Sequence, residues 1–177
     1  MSIRMIVTDL DRTLLRSDRS VSDYTASVLN RCKESGTKVV FATARPARST
    51  KRFQDKLIAD YIIANAGATV FCGETVIRNL LIPSSTRDEL MARFLACKEV
   101  TLITLEAGDR LLTNYDGPPW EIGWDIVYTD FTDGVYPDTP KLSVECEDVS
   151  FLIDIIRDYP ALHFYSNSGE RWHQIMC

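Results

Sequence analysis

Apolar and polar residues fall into short alternating blocks over the first eighty positions. Residues 3–7 form an apolar run that stops where Thr8 to Thr13 turns polar, which predicts a buried strand. Ser22 can cap a helix running to about residue 35, with Val28, Leu29 and Cys32 at helical spacing and Gly36 as its stop. Val39-Val40-Phe41 predicts a second buried strand over residues 38–42. Pro46 suits the first turn of a second helix over residues 48–58, with Phe53 and Leu57 on one face. Residues 61–64 predict a third strand that ends at Asn65-Ala66-Gly67. Strand, helix, strand, helix, strand with short links predicts an α/β fold with a parallel, right-handed, doubly wound sheet.

The second half reads differently. A helix is expected over residues 85–97 through Leu90, Met91, Phe94 and Leu95, followed by strands near 101–106 and 110–115 around a Gly108-Asp109 turn. Residues 141–146 predict a further strand. A helix over 148–158 places Val149, Leu152, Ile153 and Ile156 at the 3.6 period, and a hairpin of 161–166 with 171–175 closes around Asn167-Ser168-Gly169. The break at residues 79–84 divides the chain into domains 1–80 and 81–177. Between the elements lies an irregular aromatic stretch, residues 118–128, whose Trp120 and Trp124 fit packing in a small core or stacking on a substrate.

Composition narrows the class. At 177 residues, 45% hydrophobic and 25% charged, the chain belongs with globular domains of ordinary core size. No stretch reaches the roughly 20 apolar residues that span a bilayer, and the first residues lack a secretory pattern, so a cytoplasmic protein with no membrane partner is expected. The five cysteines are widely spaced with no Cys-x-x-Cys pair, which argues against a disulfide framework or a zinc site. The net charge of −5 hides an asymmetry, +5 over residues 1–80 and −10 over residues 81–177. A basic excess beside paired acids suits a phosphate site better than a nucleic-acid surface. Arg12, Arg16, Arg19, Arg48, Lys51 and Arg52 equally fit a solvated face.

Two strand ends carry the candidate chemistry. Asp9 and Asp11 stand two residues apart where the first strand stops, so an extended backbone projects both carboxylates to one side. Like charges so close need relief from a cation or a shared proton, and a divalent metal supplies it. Asp residues also stabilise ordinary turns, so the pair alone is equally a turn. At the second strand end, Thr43-Ala44-Arg45-Pro46 puts a hydroxyl and a guanidinium at a helix start, where unpaired N–H groups favour an anion. Thr43 as a plain cap and Arg45 as a partner of a surface acid fit that segment too.

Asp9-Leu10-Asp11-Arg12-Thr13-Leu14-Leu15 resembles the first motif of the haloacid dehalogenase-like (HAD) superfamily, and Ala42-Thr43-Ala44-Arg45 resembles its second. Residues 61–68 are similar to the third-strand segment of its Cof-type subfamily, whose members carry an α+β cap inserted after this point. The resemblance implies a partial HAD-like (Rossmann-like) parallel-sheet core over 1–80 with an α+β cap over 81–177. It implies a phosphatase acting on a small phosphorylated metabolite through an aspartyl-phosphate. Asp9 would be the nucleophile and Asp11 the general acid and base. Mg²⁺ would be held by the Asp9 carboxylate and the Asp11 carbonyl. Thr43 and the Ala44 N–H would bind phosphoryl oxygens, with Arg45 and Asn65 close by.

The chain departs from the family pattern twice. Arg12 stands where the first motif usually has glycine, so any positive φ there must be reached by a residue that tolerates it poorly. The family continues past the cap into a segment with a lysine and a Gly-Asp-rich motif that completes the metal site, whereas this sequence stops at Cys177. Lys141, Gly108-Asp109 and Asp133-Gly134 read as strand and turn residues rather than substitutes. The resemblance therefore leads us to expect an incomplete metal site and an uncovered apolar edge on the first strand, and with it a homo-oligomer. The alternative is a catalytically inactive HAD-like fragment used for binding or assembly.

Overall fold

Five strands of the first half order as β1-β2-β3-β4-β5 in one mixed sheet. The computed structural model describes residues 3–117, 125–166 and 171–177. These fall into two units, Met1–Asn79 and Leu80–Cys177.

In the first unit, β1 (Met5–Thr8), β2 (Lys38–Ala42) and β3 (Tyr61–Ala64) run parallel, with Thr8 opposite Phe41 and Ala42 opposite Ile63. The first crossover uses helix α1 (Asp23–Glu34), whose N-cap Ser22 accepts a hydrogen bond from the Thr25 N–H at 2.9 Å. Leu10, Val39, Phe41, Leu57 and Ala64 are fully buried and form the centre of the core with Phe53 and Ile62. Each large side chain among them contributes roughly 1.5–3 kcal/mol of burial.

The second crossover differs from expectation. Residues 48–58 do not form an α-helix; the chain makes a 3-10 helix, Ala47–Phe53, and then turns. Two hydroxyls explain this, since Ser49 Oγ donates to the Pro46 carbonyl at 2.9 Å and Thr50 Oγ1 to the Ala47 carbonyl at 2.7 Å. Such local bonds compete with the α-helical ladder. Phe53 and Leu57 still reach the core. The sequence pattern also missed the antiparallel hairpin of β4 (Thr69–Cys72) and β5 (Thr75–Asn79), which makes the sheet mixed rather than wholly parallel.

The other edge of this sheet belongs to β1, which pairs only with β2 among the described residues. Its outward face is apolar, with Ile3 71%, Met5 51% and Val7 55% exposed. Large apolar side chains on an unpaired strand mark an association surface.

Among the described residues, the second unit is a six-stranded sheet, ordered β10-β11-β9-β6-β7-β8, with two helices. Its strands are β6 (Val100–Ala107), β7 (Arg110–Thr113), β8 (Asp125–Tyr128), β9 (Lys141–Cys146), β10 (His163–Ser166) and β11 (Trp172–Met176). Helices α2 (Ser84–Ala96) and α3 (Val149–Arg157) send Leu90, Met91, Phe94, Leu152 and Ile155 into one cluster with Ile103, Leu105, Leu142, Val144 and Ile175 from the strands. Leu95 and Ile153, expected on the buried stripe, are exposed. By strand alternation, Thr104, Glu106, Lys141 and Ser143 share the opposite face of the sheet. There Lys141 Nζ and Glu106 Oε1 lie 3.8 Å apart, each side chain 7% exposed.

β8 was not anticipated. Trp120, Trp124 and the Asn167-Ser168-Gly169 turn lie outside the described residues. All five cysteines are free thiols. His163 is exposed, while His173 is buried, its Nδ1 2.9 Å from Ser166 Oγ and its Nε2 3.1 Å from the Cys146 carbonyl. A carbonyl only accepts, so Nε2 carries the proton and His173 is a packed, satisfied residue. Among the described residues, no helix is long and apolar enough to cross a membrane.

Candidate active site

Parallel register brings the carboxyl ends of β1, β2 and β3 to the same edge of the sheet, where open α/β sheets bind ligands. Asp9 is the first residue past Thr8, and Thr43 the first past Ala42. The segment Leu10–Leu14 then forms one wide turn, extended at Asp11 and left-handed at Arg12: the Leu14 N–H donates to the Asp9 carbonyl at 3.2 Å and the Leu15 N–H to the Leu10 carbonyl at 2.8 Å. Buried Leu10 and Leu15 anchor the turn. It closes through Arg12 at φ 61°, ψ 12°, a left-handed conformation that glycine adopts at no steric cost.

The turn leaves both acids near the surface. Asp9 is exposed, with Thr13 Oγ1 3.4 Å from its Oδ2. Asp11 is gripped by Arg45: Nε donates to Oδ2 at 2.7 Å and an Nη donates to Oδ1 at 2.7 Å. This planar fork is the strong geometry for an Arg–carboxylate pair. Arg45 hydrogen bonding holds the Asp11 carboxyl below the usual aspartate range; partial burial opposes it, and the charges of Arg45, Arg19 and Arg52 reinforce it.

Main-chain bonds join the neighbouring loops. The Thr43 N–H donates to the Ile63 carbonyl at 2.8 Å, the Asn65 N–H to the Arg45 carbonyl at 2.9 Å and the Ala66 N–H to the Thr43 carbonyl at 3.1 Å. Thr43 is buried, and its Oγ1 accepts the Arg45 N–H at 3.2 Å; Ala44, between them, is exposed. Asn65 and Ala66 take φ of 51° and 55° ahead of Gly67 at 104°, so three left-handed residues turn the chain back into β4.

The structure thus ties Asp11 to Arg45 and sets Asp9, Thr43 and Ala44 at adjacent strand ends. Asn65 joins them through its main chain. Its side chain is buried, its Nδ2 donates to Thr69 Oγ1 at 3.2 Å, and Thr69 Oγ1 in turn donates to Asn79 Oδ1 at 3.0 Å. The reading of the sequence placed Phe53 on a buried face but missed its part here: its ring carries the Arg45 guanidinium at 5.5 Å and the Arg52 guanidinium at 4.7 Å from its centroid. The adjacency Arg52-Phe53 was its only trace in sequence.

Mg²⁺ binds through one or two carboxylates, phosphate oxygens and water rather than an all-protein cage. The donor set fits that demand: Asp9 offers an exposed carboxylate, and the Arg45 fork leaves Asp11 to contribute by its main chain. Among the described residues, no group of three or more His, Cys, Asp or Glu side chains gathers.

The family model described as haloacid dehalogenase-like hydrolase matches residues 6–170, nearly the whole chain. The chain belongs to this family. The HAD-like hydrolase fold is shared with a haloacid dehalogenase-like hydrolase from Bacteroides thetaiotaomicron, at TM-score 0.79 and 20% identity over 99% of this chain and 71% of that one. It is shared too with a HAD subclass IIB sugar phosphatase, at TM-score 0.78 and 19% identity over 98% and 70%. In sequence, this HAD-like chain is 36% identical over 53 residues to the 5-amino-6-(5-phospho-D-ribitylamino)uracil phosphatase YitU of Bacillus subtilis strain 168, covering 30% of this chain and 20% of that protein. The curated relatives are matched over 20% and 38% of their length. The family drawn from the motifs holds.

Proposed function

We propose that this HAD-like chain is a Mg²⁺-dependent phosphatase that hydrolyses a small phosphorylated metabolite in the cytoplasm through an aspartyl-phosphate. In this reading, residues 1–80 supply the N-terminal part of the hydrolase core and residues 81–177 an α+β cap. Asp9 attacks phosphorus, forming an O–P bond while the ester P–O bond breaks, and the leaving oxygen takes a proton from Asp11. Water then attacks the phosphorus and gives its proton to Asp11, which restores Asp9 and releases inorganic phosphate. Thr43, Ala44 and Arg45 bind or orient the phosphoryl oxygens, and Asn65 holds the loop behind them. A bound Mg²⁺ supplies charge neutralisation between the Asp9 carboxylate and the anionic substrate.

The observation that supports this most is the Arg45–Asp11 fork, which joins the second motif to the first at the carboxyl edge of the sheet. It also sets an order of events. Asp11 gripped by Arg45 is ionised and ready to act as a base; donating a proton requires the fork to open first. The test is phosphate release from p-nitrophenyl phosphate. Turnover that vanishes with EDTA and in Asp9→Asn supports the proposal, and turnover that survives Asp9→Asn refutes it.

A second reading, a binding or assembly protein without turnover, draws on the apolar β1 edge. In either reading we expect self-association through that edge, which light scattering at roughly tens of micromolar detects.

A further inference from the structure

We infer that Thr69 is a positioning residue for the phosphoryl-binding loops, acting through Asn65 and held in turn by Asn79. This rests on the proposed phosphoryl site and extends it across β3, β4 and β5 to the end of the first unit.

Sheet register builds the relay. Thr69 begins β4 opposite Ala64, the last residue of β3, and opposite Asn79, the last residue of β5. Asn65 Nδ2 donates to Thr69 Oγ1 at 3.2 Å, and Thr69 Oγ1 donates to Asn79 Oδ1 at 3.0 Å. A hydroxyl has a single proton, so giving it to Asn79 turns a lone pair toward Asn65. Thr69 and Asn65 are both buried, at 5% and 6% exposure, and Asn65 Oδ1 has no hydrogen-bond partner among the described residues. The Asn65 carboxamide therefore hangs on Thr69. Removing that hydroxyl leaves a buried amide unpaired, which costs more than losing an exposed bond.

The backbone at Asn65 needs such a hold. Asn65 and Ala66 both lie in the left-handed region, at φ 51° and 55°; asparagine tolerates it, whereas alanine meets the full steric cost. A turn of this kind persists where its surroundings over-determine it. The same turn carries the neighbouring loop, since the Asn65 N–H bonds the Arg45 carbonyl at 2.9 Å and the Ala66 N–H bonds the Thr43 carbonyl at 3.1 Å. From Arg45 the line continues through the fork to Asp11. An unbroken series of bonds thus runs from Asn79, where the first unit ends, to the acid proposed to move the proton. Small displacements of groups that hold a substrate weaken both its binding and its reaction.

The test measures the binding of inorganic phosphate by calorimetry on the full chain in a fixed excess of Mg²⁺, with the exchange of the Asn65 and Ala66 amides as a reading of the loop. In Thr69→Val the affinity is expected to fall about fivefold, the ratio that corresponds to one net hydrogen bond. The Asn65 and Ala66 amides exchange about fivefold faster relative to those of Val39, Val40 and Phe41. Thr69→Ser keeps the hydroxyl and stays within about twofold of the parent on both measures. Asn79→Ala, at an exposed position, removes only the acceptor and shifts both in the same direction; it decides the matter if Thr69→Val does not fold. Ala26→Gly is the control for stability, because it weakens α1 and touches none of these bonds, and it leaves affinity and exchange ratio unchanged. Unchanged affinity in Thr69→Val, no recovery in Thr69→Ser, or an equal loss in Ala26→Gly each overturns the positioning role alone. Failure of the parent chain to bind phosphate overturns the phosphoryl site, and this inference with it.

Discussion

Replacing Arg12 by glycine is expected to stabilise the first unit, and the size follows from one dihedral pair. At φ 61° and ψ 12° the Arg12 Cβ crowds its own carbonyl, at a cost of roughly 1–2 kcal/mol for an L-residue with a side chain. Glycine removes that cost but adds freedom to the unfolded chain, worth about 0.4–1 kcal/mol in the other direction. The net gain is about 0.5–1 kcal/mol. Arg12→Ala is the control: it deletes the exposed side chain and keeps the strained backbone, so it stays within about 0.5 kcal/mol of the parent.

The assay must report the first unit, and Trp120, Trp124 and Trp172 all lie in the second half of the sequence. Native-state hydrogen exchange of the amides of Val39, Val40 and Phe41, in the central strand of the first core, meets that need. An increase of about 1 kcal/mol slows exchange through unfolding about fivefold relative to Arg12→Ala. Exchange in Arg12→Gly as fast as in Arg12→Ala, or faster, refutes the claim that the turn is strained.

Three further outcomes are expected. Because Arg45 lowers the Asp11 pKa, the stabilisation it gives is full above the ordinary aspartate range and is lost as pH falls through the lowered pKa. The stability gap between wild type and Arg45→Ala therefore starts to narrow near about pH 5 and goes on narrowing as pH falls below the ordinary aspartate value, and a constant gap in urea titrations refutes this. Lys141→Met leaves Glu106 buried without its ion-pair partner, which costs about 3 kcal/mol, whereas adding Glu106→Leu recovers most of it; tryptophan fluorescence in urea follows both, and additive losses count against the pairing. Val7→Lys places a charge on the β1 edge and lowers self-association in light scattering, and an unchanged mass disproves that surface.

The strand ends were the legible part of this sequence. Buried parallel strands read as continuous apolar runs, so β2 and β3 stand out, and Ser22 announced α1 by its capping chemistry. The 48–58 segment misled because its apolar spacing is helical, while the hydroxyls of Ser49 and Thr50 close local bonds that periodicity does not register. The β4–β5 hairpin escaped because β5 is exposed along its length and lacks an apolar alternation, although Gly73 at φ 57° marks its turn. In the candidate site, the placement of Asp9, Asp11 and Thr43 at strand ends was visible from position alone. The Arg45–Asp11 fork was not, since it joins residues 34 positions apart and depends on parallel register.

The bonds from Asn65 to Arg45 and from Ala66 to Thr43 run between main-chain atoms. They survive an exchange of side chains that take no part in holding them. A change of side chain at exposed Ala44 therefore leaves both bonds in place, and the two loops keep their mutual position.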